Sequence, residues 1–367
     1  MTSVTNQSVL VALSGGVDSA VAAALLIERG YDVTGVTLRL LDAARGTHYK
    51  ASACTDATII AARSTAERLG IPHHVLDVSH LFERSVIDYL LSEYRKGKTP
   101  NPCIRCNAVV KLRVLVENRE SLGARYVATG HYVRKIEDQG AGNRVGLGRA
   151  ADPVKDQSYM LSALTQPLLA HALFPLGDMC KDEVRDYAKR LDVPGVERPE
   201  SQDVCFAPDG DYRRLFAMFE VAPQPGPILS TAGETLGSHN GLHLYTIGQR
   251  KGLGLAADRP YYVVDIDPAR NALIVGHAES TYSRGLVAKD VNWCSVPPRD
   301  EPFDCLVRIR YLHTPVPARV SPGRTGLDIR FAEPQRAVTP GQWAVLYDAR
   351  GRLLAGGEID AAYATAV

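Results

Sequence analysis

The apolar run Val9-Leu10-Val11-Ala12-Leu13 is short and unbroken, and Ser14-Gly15-Gly16 ends it abruptly. That is the pattern of a buried strand leading into a turn. Small and apolar residues then continue from Asp18 to Arg29, which reads as a helix closed by Gly30. The alternation repeats. "YDVTGVTLRL" is strand-like, "DATIIAARSTAERLG" an amphipathic helix ending at Gly70, and "HHVLDVS" a third strand. "LFERSVIDYLLSEYRKG" and "NAVVKLRVLVENRESLG" are helical, and "ARYVATGHY" is another strand. Such alternation predicts an α/β fold, a doubly wound parallel sheet whose ligands sit beyond the carboxyl ends of its strands. Ser14, Thr37-Leu38 and Gly130-His131 fall at or near such ends.

From about Leu215 the pattern changes. "VAPQPGPILSTAGETLGSHNGLHLYTIGQRKGLGL" is rich in Gly and Pro, with short strand-like pieces. After roughly Arg284 come "FDCLVRIRYL", "LDIRFA" and "QWAVLYD", punctuated by Pro and Gly as in a small β-barrel. The expected organisation is a catalytic α/β domain over 1–214, a small linker domain over 215–283 and a β-barrel domain over 284–367.

Composition narrows the function classes. Lys and Arg number 42 against 41 Asp and Glu, so a nucleic-acid site must be a local patch and not a global basic field. No apolar run approaches the ~20 residues of a membrane span, and no charged-then-apolar leader opens the chain. A cytoplasmic protein without a membrane partner is expected. In a reducing compartment its seven cysteines are better suited to reaction or metal binding than to structural disulfides.

"SGGVDS" carries the first chemistry. Its glycines let backbone N–H groups turn toward an anion, and the next helix adds its partly positive N-terminus. Ser14 and Ser19 can donate to phosphate oxygens, while Asp18 suits a helix cap or Mg²⁺. The plainer reading is a tight strand-to-helix turn. A P-loop would require G-x-x-x-x-G-K-[ST]; "KGKT" at 96–99 imitates only its end, with Ser92 in the first glycine's place.

"TPNPCIRCN" sets Cys103 and Cys106 after two prolines and just before a helix, whose N-terminus is expected to lower a thiol pKa below its usual ~8.5. Cys205 follows in "SQDVCFAPDG". A zinc site would need a second C-x-x-C or a matching His pair, and neither is present. Cys54, Cys180, Cys294 and Cys305 are assigned no chemistry.

The strand–SGGxDS–helix unit resembles that of the ATP pyrophosphatases, whose loop holds the pyrophosphate end of ATP and which adenylate a carbonyl-type oxygen. "SGGVDS", "TPNPCIRCN", "ATGHY", "KDQSYML", "SQDVCF", "YTIGQRKGLGL" and "GQWAVLY" occur in the order found in the tRNA-specific 2-thiouridylase family, a resemblance that covers nearly the whole chain. It implies ATP and Mg²⁺ as cofactors. The substrate would be the anticodon stem-loop of tRNA, and the sulfur donor a cysteine desulfurase or sulfur-relay protein. It also implies adenylation of uracil O2 at the wobble position and sulfur transfer from a cysteine persulfide.

Residue by residue, the resemblance implies an ATP site of Ala12, Leu13, Ser14, Gly15, Gly16, Val17, Asp18 and Ser19, with Leu38 and Gly130 lining the nucleotide pocket. Cys205 matches the persulfide-bearing cysteine. Cys106 matches the second catalytic cysteine, which ends in a disulfide with Cys205. His131, Lys155, Asp156, Gln157, Arg310, Tyr311 and Gln342 match tRNA contacts. Arg308 and His313 extend the last group into a patch suited to phosphates and stacked bases. A satisfied buried histidine is the plainer reading of His131, and a helix-start motif that of Asp156.

Two departures stand out. Many members of the family carry Asp where this chain has Cys103, so Cys103, Cys106 and Cys205 form a thiol trio that could ligate a [4Fe–4S] cluster. The simpler alternative is a spare thiol and a disulfide route. "ASACTDATIIAARSTAERLG" also departs from the family's version, and neither Cys54 nor Asp56 is given a role. Rival classes are an ammonia-using synthetase of the same fold, which would need neither Cys106 nor Cys205, and an RNA-binding protein with an ATP-sensing loop. The segment around Cys205 is expected to rearrange when tRNA binds.

Overall fold

A computed structural model describes residues 7–41, 56–137, 144–192, 204–207, 211–219 and 221–364. Cys54 lies outside them. Strands β1 (Ser8–Ala12), β2 (Asp32–Arg39), β3 (His73–Asp77) and β4 (Tyr126–Ala128) form a parallel sheet. The hairpin β5 (Arg134–Glu137) and β6 (Val145–Gly148) follows, and the short β7 (Ala172–Leu173) completes the sheet in the order β3-β2-β1-β4-β7. Chain direction across the sheet reverses between β1 and β4, which opens a crevice at their carboxyl ends.

Alternation along β1 explains the two covered faces. Val9 and Val11 pack with Ala23 and Leu26 of α1 (Val17–Glu28) and with Ala62 and Ala66 of α2 (Asp56–Leu69). Leu10 points the other way, to Ile104, Leu112 and Leu115 of the helix over 102–118. All three strand residues are fully buried. Alanines let α1 be enclosed on a further side as well, where Ala20 and Ala22 meet Val184 and Ala188 of the helix Lys181–Arg190. The sequence pattern did not single out that helix, β7 or the hairpin.

The central region carries β8 (Gly226–Ser230), β9 (Thr235–His239), β10 (Tyr262–Asp267) and β11 (Ala272–Gly276), ordered β10-β11-β8-β9. Then β12 (Tyr282–Trp293), β13 (Phe303–Arg308), β14 (Val316–Pro322), β15 (Leu327–Arg336), β16 (Trp343–Tyr347) and β17 (Arg352–Ala364) follow. They run β12-β15-β14-β13-β16-β17, and β17 pairs back to β12, closing a six-stranded antiparallel barrel. Closure removes the exposed edges that an open sheet would leave. The hairpin β5–β6 pairs onto β17 through Gly148–Arg352 and Leu147–Leu353, so the barrel is stitched to the first domain.

That junction is polar where it is deepest. Asp156 is wholly buried and accepts from Arg308 Nη1 at 3.0 Å, and from the backbone N–H groups of Ala150 and Ser158. A buried pair of this kind is tolerated because Asp156 takes backbone N–H groups as well as the guanidinium, although Arg308 Nε is left without a partner.

Candidate active site

The glycine loop leaves β1 at its carboxyl end and enters α1. Gly15 has φ +71°, and a Cβ there would come within 2.7 Å of the Thr58 carbonyl, so α2 presses on the loop and only glycine fits. Ser19 Oγ donates to the Gly16 carbonyl at 2.8 Å and receives the Ser14 N–H at 3.2 Å, with the two hydroxyls 3.2 Å apart. Gly16 occupies the cap position of α1, and no side chain caps the helix. Its first N–H groups are therefore available to an anion, with the helix dipole behind them. Ser14 and Gly16 are exposed, whereas Leu13 and Ser19 are buried. Gly130, beyond β4, lies against the same turn: a Cβ there would meet the Asp18 and Ser19 backbone at 2.8–2.9 Å. Ala12, Val17 and Leu38 are half-buried around it, Leu38 lying between the two apolar clusters that flank the site. This arrangement fits a polyphosphate at a strand-to-helix turn.

Asp18 does not cap the helix. Its Oδ1 accepts from Lys181 Nζ at 2.6 Å and from the Tyr132 hydroxyl at 2.8 Å. Lys181 and Tyr132 are buried, and the ammonium stands 5.8 Å from the centre of the tyrosine ring. Neither residue was singled out by spacing, because Lys181 lies 163 positions from Asp18.

The cysteines form the second part. Asn101 caps the next helix by accepting the N–H groups of Cys103 and Ile104 at 3.1 Å, and Pro102 occupies its first turn. The helix thus begins at Pro102 and includes both cysteines, one turn earlier than expected. Directly after Cys106 it widens into a π-turn over Asn107–Lys111 before resuming as Leu112–Asn118. Phe206 anchors the other cysteine: fully buried, its ring meets Phe82 edge-on at 5.1 Å, and Cys205 packs in the same apolar cluster as Cys106. Of the surrounding segment, 193–203 and 208–210 lie outside the described residues, so its expected rearrangement is not addressed.

All described cysteines are free thiols. Cys103, Cys106 and Cys205 are close enough for each thiolate to oppose the next, which the sequence had suggested only by type. The expected acidification is overturned. Burial pushes Cys103 up to about 11 and Cys106 up to about 12, outweighing the Lys111 ammonium that pulls both down. The helix N-terminus cannot compensate, since Asn101 already serves its leading N–H groups. Among the described residues no group of three or more His, Cys, Asp or Glu side chains is arranged to hold a metal ion. The three thiols share one pocket.

Lys111 also joins the two parts. Its charge acts on His131, which burial holds neutral, down to about 3. His131 follows Gly130, and its Nδ1 lies 2.7 Å from Thr129 Oγ1. The site therefore runs from α1 through Gly130 and His131 to Lys111 and the cysteines.

The remaining expected residues divide. Lys155 and Gln157 are half-buried, Gln157 accepting the Tyr132 N–H at 2.9 Å. Asp156 and Arg308 are corrected as direct RNA contacts: they face each other inside the domain junction, with Arg308 also donating to the Tyr311 carbonyl. Burial lowers the His313 pKa. Arg310 is exposed and lines a cavity of about 330 Å³ with Arg336, Thr246, Thr339, Thr99 and Gln342, where three domains meet. There Gln342 Nε2 donates to the Thr99 carbonyl at 2.8 Å, and the Thr99 N–H donates to the Pro340 carbonyl at 2.9 Å. The barrel thus grips the start of the cysteine-bearing segment. Cys294 and Cys305 are buried in the core, and Cys180 sits exposed at the start of the helix Lys181–Arg190.

Comparison with known proteins gives three family models in tandem. They are a tRNA methyl transferase HUP domain over 7–209, a tRNA methyl transferase PRC-barrel domain over 216–277 and an aminomethyltransferase beta-barrel domain over 283–359. Among curated relatives, the tRNA-specific 2-thiouridylase MnmA of Symbiobacterium thermophilum is 47% identical over 96% of this chain and 92% of its own. The protein of that name from Carboxydothermus hydrogenoformans is 46% identical, over 96% and 98%. That from Chloroflexus aggregans is 47% identical, again over 96% and 98%. No helix among the described residues is long and apolar enough to cross a membrane.

Proposed function

The chain belongs to the tRNA-specific 2-thiouridylase family, and on that premise we propose that it thiolates C2 of the wobble uridine in tRNA at the expense of ATP. One observation carries this reading: an uncapped glycine-loop helix and a trio of thiols lie in one continuous site, linked by Gly130, His131 and Lys111. Methyl transfer, the reaction in two of the family descriptions, would call for neither feature.

The backbone from Ser14 to Ser19 holds the pyrophosphate end of ATP, and Asp18 is the loop carboxylate that bound Mg²⁺ would meet. Uracil O2 takes the adenylyl group, the bond between the α- and β-phosphates breaks, and pyrophosphate leaves with the electron pair. This converts a poor electrophile at C2 into one with AMP as leaving group. Cys205 then presents a persulfide supplied by a cysteine desulfurase or sulfur-relay protein. Its terminal sulfur attacks C2 and AMP departs with O2. Cys106 attacks Cys205 Sγ, the S–S bond breaks, and its electron pair stays on the sulfur now bonded to the base. A Cys106–Cys205 disulfide remains, which a dithiol reductant resets with two electrons. In the alternative order Cys106 frees the sulfur from the persulfide first, with the same balance. Burial keeps the Cys103 and Cys106 thiols protonated at rest, which guards them from premature oxidation. In this reading the target base is unstacked to reach the site, and Arg310, Tyr311, Lys155 and Gln157 contact the RNA around it.

The test supplies ATP, a desulfurase-generated persulfide, a dithiol and undermodified tRNA, with nucleoside mass spectrometry as the readout. The expected product is 2-thiouridine, with one AMP per modified base and loss of product in Cys106→Ser. A methylated nucleoside, or unchanged thiolation in Cys106→Ser, would overturn the reading.

A further inference from the structure

Glu358 lies on β17 of the barrel, yet both of its carboxylate oxygens are bonded in the first domain. Its side chain is 11% exposed, so the carboxylate has little water and depends on those partners. Oε1 accepts from Lys98 Nζ at 3.3 Å, and Oε2 accepts from the Tyr89 hydroxyl at 3.0 Å. Burial, together with the adjacent Glu358 charge, raises the Tyr89 pKa, so the hydroxyl stays protonated and donates. Tyr89 belongs to the helix Asp88–Arg95. The face of its ring carries the Arg105 guanidinium, whose central carbon stands 4.3 Å from the ring centre. Arg105 Nε also donates to the Ser85 carbonyl. Arg105 lies between Cys103 and Cys106, in the short helix Pro102–Cys106. A cation on the ring face and a carboxylate at the hydroxyl reinforce each other, because donation to the anion makes the ring more electron-rich. A π-turn borders the contact on each helix, over Glu83–Ile87 and over Asn107–Lys111.

We propose that Glu358 is a positioning residue for sulfur transfer: acting through Tyr89 and Arg105, it sets the helix that carries Cys103 and Cys106 against Cys205. This rests on the reading that these thiols transfer sulfur. Gln342 holds the entry of the cysteine segment at Thr99, whereas this line of contacts ends on the residue between the two thiols. The helix there has 5 residues between the Asn101 cap and the π-turn, so its own hydrogen bonds define its orientation poorly. A guanidinium held by a carbonyl and by an aromatic face fixes it from outside. Sulfur transfer requires Cys106 within bonding reach of Cys205 Sγ, and small displacements of a reacting pair cost much rate. No proton or electron moves along the contacts. They run from the barrel to the cysteine helix without passing through the glycine loop, so adenylation does not depend on them.

The experiment follows single-turnover thiolation of undermodified tRNA by the persulfide-loaded full chain, alongside pyrophosphate release, tRNA affinity and thermal unfolding. Tyr89→Phe keeps the ring under Arg105 and removes only its bond to the barrel. It is expected to slow thiolation by about 5- to 30-fold, with pyrophosphate release and tRNA affinity within about twofold. Glu358→Ala and Arg105→Met carry the same expectation. Glu358→Gln, whose amide carbonyl still accepts from Tyr89, should recover part of the loss. Because Glu358 and Arg105 are joined through Tyr89, combining Glu358→Ala with Arg105→Met should slow thiolation no more than about twofold beyond the slower single variant. Should Glu358→Ala not fold, Tyr89→Phe takes its place in the double variant. Losses that multiply in the double variant mark independent structural effects and overturn the proposal. So does wild-type thiolation in folded Tyr89→Phe, or an equal slowing of pyrophosphate release. Absence of thiolation by the wild-type protein would instead remove the sulfur-transfer reading itself, so the two failures are distinguishable.

Discussion

The glycine loop and the cysteine pocket lie end to end in one site, yet they are held in different ways. The loop is shaped locally: β1 ends, Gly15 turns at positive φ, and α1 begins uncapped within a few residues. The cysteine pocket is shaped from afar. Its entry, Thr99, is gripped by Gln342 and Pro340 of the barrel and touches Thr246 of the central region, with hydroxyls 3.4 Å apart. Its third thiol is anchored by Phe206 against Phe82. Local backbone geometry thus shapes the loop, whereas the thiol pocket depends on packing and on which domains are docked.

The largest effect expected from that contrast is on thiol reactivity. Burial raises the Cys106 pKa to about 12, so at pH 7 its thiolate is roughly three-thousandfold scarcer than that of a free cysteine near 8.5. Iodoacetamide labelling of Cys106 in the free protein should be correspondingly slow and should rise about tenfold per pH unit from 7 to 10. Labelling at the rate of an unperturbed thiol would show that the pocket is open and break the contrast. Raising pH over this range should leave the affinity for an ATP analogue little changed, because the loop binds through backbone N–H groups.

This is also where sequence and structure parted. The parallel sheet and the strand-to-helix turn of the glycine loop were legible because strand–turn–helix signals are local. The shift of the thiols was not, since a helix N-terminus can be seen in "TPNPC" but Asn101's capping and the surrounding burial cannot. Asp156 and Arg308 show the same limit: charged residues in polar-looking segments become a buried pair only once the barrel docks. Lys181 and Tyr132 were missed because nothing in their spacing ties them to Asp18.

A smaller effect sharpens the comparison at the domain junction. Gln342→Ala removes the donor to the Thr99 carbonyl, a loss worth about 1 kcal/mol, or roughly fivefold. Single-turnover thiolation should slow by about that factor while pyrophosphate release and tRNA affinity stay within about twofold. If tRNA affinity falls and the thiolation step does not, Gln342 acts on RNA directly and not through the cysteine segment.

The central claim, that the loop activates and the cysteines transfer sulfur, is tested most directly by separating the two. Wild type, Cys106→Ser and Cys205→Ser are given undermodified tRNA and ATP labelled in the α-phosphate, and pyrophosphate and RNA-bound label are followed together. The predicted result is pyrophosphate release and label on tRNA in both variants, with no 2-thiouridine. Loss of pyrophosphate release in the cysteine variants, or thiolation that persists without them, would contradict the account.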